Sequence, residues 1–106
     1  MADDAMTDGW DKAEKAITKG KGESALKILR AIDADGKEPT TLRLAGHATW
    51  LEAKARNNRG DYRRAASLLR ESTKKNPRDK KADRLYNDLL KEMQDNLERQ
   101  DISLIL

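Results

Sequence analysis

The stretch 46-GHATWLEAKARNNRGDYRRAASLLRESTKKNPRD-79 decides the fold. It reads as two amphipathic runs separated by Gly60-Asp61-Tyr62 and closed by Asn76-Pro77. Gly60 is expected to end the first helix, because glycine accepts the left-handed C-terminal conformation without a Cβ clash. Asp61 is expected to cap the next helix by accepting from its unpaired N–H groups. Ala65 is small where two helices approach closely, and Leu68 and Leu69 supply an apolar ridge with Ala65, Ala66 and Ser72 nearby at helical spacing. Pro77 has no N–H, so it stops the second helix and suits the first turn of a third.

A second copy of this pattern lies upstream. At an offset of forty residues, Ala5, Trp10, Ala13, Gly20, Ala25, Leu29 and Arg30 align with Ala45, Trp50, Ala53, Gly60, Ala65, Leu69 and Arg70. Ile28 likewise aligns with Leu68, and the chain's two tryptophans fall at matching places. Self-similarity at one spacing is the mark of stacked repeats.

The turn Gly60-Asp61-Tyr62, the Ala65-x3-Leu69 pair, Ala53 on the first helix and the closing Pro77 resemble a tetratricopeptide hairpin, whose period is about 34 residues. The longer offset places an insertion at Asp35-Gly36-Lys37-Glu38-Pro39. The first hairpin departs from the pattern with Lys21-Gly22 at its turn and a late proline, Pro39. Glu52 and Arg56 stand where the family buries large apolar residues.

The reading in order is an all-α chain of about five helices in one domain, 1–106. Its parts are a hairpin over 5–35, a hairpin over 40–76, a capping helix over 77–100 and an apolar tail over 101–106. Met6, Trp10, Ala13 and Ile17 stripe the first helix, and Ala25, Leu26, Ile28, Leu29 and Ile32 the second. The third, starting at Pro39, carries Leu44, Ala48, Leu51 and Ala55 beside Trp50 and Ala53, wide enough to sit between two neighbours. The last repeats Ala82, Leu85, Tyr86, Leu89, Leu90, Met93 and Leu97 along one face, as a helix closing a stack should.

Composition bounds the function. Charged residues are 39% of the 106, against a usual share of about 25%, and phenylalanine is absent. Such a chain supports a thin core between helices. The 22 basic residues nearly balance 19 acidic ones, so no strong global field demands nucleic acid. Without cysteine there is no disulfide or thiolate chemistry. No apolar run reaches the length needed to cross a membrane, and the acidic N-terminal residues lack the apolar core of a signal peptide. A cytoplasmic protein is expected.

The resemblance implies a non-enzymatic protein–protein interaction module, an adaptor or assembly factor. In the family a concave groove, lined mainly by the first helix of each hairpin, holds a partner's peptide or helix. Carried over by position, the groove would include Trp10, Glu14, Ile17, His47, Trp50, Lys54, Asn57 and Asn58, with Lys81, Arg84 and Asp88 from the last helix. Family members that grip acidic chaperone tails carry Lys, Asn and Arg there. Here only Lys81 fits, while Trp10, Glu14, Leu51 and Leu85 do not, which argues against that ligand.

Other readings stay open. Trp10 and Trp50 are either groove anchors or packing residues between helices. The basic run Lys74 to Lys81 could bind phosphates, giving a nucleic-acid-binding protein as the alternative function. A solvated turn is the simpler account, because no base-reading motif accompanies it. The tail Ile102 to Leu106 could drive self-association or fill the groove. His47, the one histidine, has no companions at metal-ligand spacing, and no nucleophile–base pair is in view. No cofactor and no metal are expected.

Overall fold

A computed structural model describes the backbone of residues 4–105 and the side chains of residues 4–96. The described chain is all-α, with five helices: α1 (Asp4–Thr18), α2 (Gly22–Ile32), α3 (Pro39–Arg56), α4 (Arg59–Lys75) and α5 (Lys80–Ile105). α1 with α2 and α3 with α4 form helical hairpins, and α5 packs on the second. α3 is the central element and touches all four others.

The forty-residue repeat is also a repeat of burial. Ala13, Ala25 and Leu29 are buried in the first hairpin, and their counterparts Ala53, Ala65 and Leu69 in the second. The first set packs with Ile17, Leu44 and Ala48; the second packs with Tyr62 and Leu89. Small residues let the helix axes close up. A Cβ on Gly46 would stand 2.7 Å from Leu69 Cγ, so α4 can approach α3 only where α3 has no side chain. The fully buried Ser72 on α4 donates its hydroxyl to the Pro39 carbonyl at 2.8 Å, fixing the end of α4 to the start of α3. On α3 the apolar surface is wide but built from small residues. Leu44 and Ala48 are buried and Leu51 half-buried, while Ala55, expected in the same stripe, is exposed.

Four helix ends differ from the sequence expectation. Gly60 does not end α3. That role falls to Asn57, left-handed at φ 51°, and Gly60 lies inside α4. Asparagine also tolerates the left-handed region, and the amides of Asn57 and Asn58 both donate to the Ala53 carbonyl. Asn58, not Asp61, caps α4: its Oδ1 accepts from the Asp61 amide at 3.2 Å. The first hairpin turns the same way, with Gly20 left-handed and the Lys21 amide reaching back to Ala16.

Pro77 does not open α5. It sits in a turn, and Asp79 caps the helix by accepting from the Lys81 and Ala82 amides at 3.0 and 3.3 Å. Pro39, by contrast, does occupy the first turn of α3. Finally, α5 continues to Ile105 instead of ending at Gln100. The side chains of the proposed apolar tail lie outside the described residues.

α2 shows why Glu52 departs from the expected apolar pattern. Lys21 at its N-terminus provides no side-chain cap. Glu52 reaches across from α3 and accepts the Glu23 amide at 3.0 Å, placing a carboxylate at the positive end of the helix. This needs Gly22, where a Cβ would meet the Ala48 carbonyl oxygen at 2.6 Å.

Candidate functional site

Because α1, α3 and α5 lie side by side, their facing residues enclose one cleft. Its walls are Glu14 and Thr18 of α1 and Lys81 and Arg84 of α5, and Arg43 and His47 come from α3 between them. Ile17, Leu44 and Leu85 give it an apolar lining. The volume is about 280 Å³. Five of the residues expected in a groove, Glu14, Ile17, His47, Lys81 and Arg84, come together here. Ile17 is buried and contributes mainly to the floor.

The charge of the cleft is asymmetric. Glu14 is the acidic residue on the α1 side. On the α5 side Lys81 and Arg84 are exposed and make no ion pair among the described residues. Arg43 is already committed: it pairs with Asp79 at 3.0 Å, both side chains largely buried, tying α3 to the cap of α5. Burial pushes the His47 imidazole below its ordinary value. The charges of Lys54 and Arg43 push the same way, and Glu14 opposes them. His47 is therefore neutral at pH 7, able to donate from one ring nitrogen and accept at the other.

Lys54 and Asp88 belong to a different hollow, of about 470 Å³, lined also by Tyr62, Lys91, Glu92, Asp95 and Asn96. Its centre is Glu92. Trp50 Nε1 donates to Glu92 Oε2 at 2.8 Å, and Lys54 Nζ stands 3.2 Å from Oε1. Burial alone would raise the Glu92 carboxyl, but hydrogen bonds from Trp50, Tyr62 and Lys54 outweigh it and leave it below the usual carboxylate value. Burial and this carboxylate together raise the Tyr62 phenol.

The two tryptophans are half-buried, and each directs its indole N–H inward. Trp10 donates to Thr41 Oγ1 at 2.8 Å and packs against the first core. Trp50 packs against the second, with Lys54 Nζ 4.8 Å from its ring centroid and the His47 ring 6.2 Å away. Neither lines the cleft. Asn57 and Asn58 are turn residues with the capping roles given above and also lie away from it.

Thr18, Arg43 and Glu92 were not expected at a site, and Leu44 was expected only in the apolar stripe of α3. Arg43 and Glu92 find their partners 36 and 42 residues away, and no local pattern marks such pairs. Among the described residues no cluster of His, Cys, Asp or Glu could hold a metal ion, and no helix is long and apolar enough to cross a membrane. No protein-family model matches the chain, and neither a curated protein nor a solved structure matches it.

Proposed function

We propose that the chain is a non-enzymatic protein–protein interaction module of tetratricopeptide type, binding a segment of a partner in the cleft between α1, α3 and α5. The observation that carries this reading is the convergence of residues from three separate helices on one concave surface. Apolar Leu44 and Leu85 lie there beside two cations, Lys81 and Arg84, that make no ion pair among the described residues. A volume of about 280 Å³ is at the low end for a ligand site. It suits one or two side chains of an extended peptide better than a whole helix. The asymmetry favours an occupant with an apolar anchor and a carboxylate on the α5 side, where charge complementarity adds specificity and association rate.

The test is a pull-down from nuclease-treated lysate of the source, run with the native chain and with Lys81→Glu/Arg84→Glu. Both positions are exposed, so the variant keeps its fold. A defined protein retained by the native chain and lost with the variant supports the reading. A protein retained equally by both contradicts it.

A further inference from the structure

The charge of this protein is concentrated in α4. That helix has six basic residues against two acidic, a net of +4, where the whole chain carries +3. Arg59, Arg63, Arg70 and Lys74 are all exposed. At 100° and 1.5 Å per residue they fall within an arc of about 60° along about 22 Å of helix. The two acidic residues of α4 lie off this stripe. Asp61 approaches Arg64 at 3.9 Å, and Glu71 approaches Lys74 at 3.8 Å. Arg59, Arg63 and Arg70 make no ion pair among the described residues. Between the two pairs of cations stand only Ala66 and Ser67, which leave the middle of the stripe low.

We propose that this face of α4 binds the phosphodiester backbone of a nucleic-acid duplex. The site is separate from the cleft, to which α4 contributes no residue. Protein interfaces have a desolvated core of aromatic and apolar anchors and few charges. The stripe offers no such anchor, so a protein partner would find little to bury. A polyphosphate needs only the charges, and the arginine fork matches phosphate geometry. Nothing here reads bases, so binding is independent of sequence and driven by counterion release. The stretch Lys74 to Lys81 is the poorer candidate. It contains Asp79, which is held by Arg43 and by the amides of α5.

The experiment is fluorescence anisotropy with a labelled 24-base-pair DNA duplex and an RNA duplex of the same sequence, in 50 to 200 mM KCl. Neutralising about four phosphates predicts that affinity falls about 150-fold across that range. Arg63→Gln/Arg70→Gln should halve the log–log slope, leaving a fall of about 12-fold. Lys81→Gln/Arg84→Gln should change neither affinity nor slope. A preference for one duplex supports the proposal and names the source of the phosphates. The proposal is overturned by absence of binding to both duplexes at 50 mM KCl, or by binding that Arg63→Gln/Arg70→Gln leaves unchanged. Equal binding of polyglutamate with the same dependence on Arg63 and Arg70 also overturns it, since the occupant would then be an acidic protein.

Discussion

The indole N–H of Trp50 on α3 donates to the carboxylate of Glu92 on α5 at 2.8 Å. With Lys54 at 3.2 Å on the other oxygen, this joins the closing helix to the central one. A second link between the two helices is the largely buried pair of Arg43 with Asp79, at the cap of α5. Glu92→Ala leaves the Trp50 N–H without its acceptor and should cost about 1–2 kcal/mol. Lys54→Ala removes a half-exposed partner and should cost about 0.5 kcal/mol or less. Thermal unfolding followed by circular dichroism distinguishes the two. Equal effects would mean that Glu92 acts through the ion pair alone.

Gly22 has to be glycine because α2 begins against the backbone of α3, not because of its own torsion angles. Gly22→Ala improves helix propensity by about 1 kcal/mol, yet it places a methyl group 2.6 Å from the Ala48 oxygen. The backbone cannot swing aside as a side chain would, so a net loss of about 1–3 kcal/mol is expected in urea unfolding. A neutral or stabilising outcome would show that the two helices are not held this close.

The turn between α3 and α4 depends on two asparagines. Asn58→Ala should lose about 1 kcal/mol through the missing cap. Asn57→Gly should be neutral or gain up to about 1 kcal/mol, because glycine enters the left-handed region without a Cβ clash. The opposite pattern in denaturant melts would return the turn to Gly60.

Acid should weaken the fold in two steps. The folded His47 has a lowered pKa, so between its ordinary value of 6.5 and the folded value the unfolded chain binds more protons. Its contribution is complete above pH 6.5 and declines as pH falls toward the folded value. Glu92 and Asp33 are also lowered, so their contributions hold above the ordinary carboxylate values and disappear as pH falls through the folded ones. For Asp33, burial opposes the shift, while the Glu38 and Lys37 amides, each donating at 3.0 Å, help produce it. Chemical denaturation from pH 8 to pH 5 should show the first loss, and His47→Gln should flatten it. An unchanged profile in that variant would remove His47 as its source.

The helices and their buried faces were legible in the sequence because the period is visible without knowing any contact. Ala13 and Ala53, Ala25 and Ala65, and Leu29 and Leu69 are identical pairs at one spacing, and each is buried. The turn was misread because glycine is the commoner left-handed residue, whereas here Asn57 takes that conformation and Asn58 supplies the cap. Glu14, Ile17, His47, Lys81 and Arg84, expected in a groove only through the family resemblance, line one cleft. Lys54 and Asp88 could not be told from them, because a hollow centred on Glu92 divides that side of α5. The roles of Glu52 and Glu92 depend on the rotation of α3 to within a residue, which periodicity does not supply.

The most direct test of the cleft as the binding surface is amide chemical-shift mapping by NMR. The titrant is a peptide selected from a random display library against the immobilised chain. Shifts should gather at Glu14, His47, Lys81, Arg84 and Leu85 and be abolished by Lys81→Glu/Arg84→Glu, with α2 unchanged. Shifts gathered on α2 and α4, with the cleft silent, would contradict the cleft as that surface.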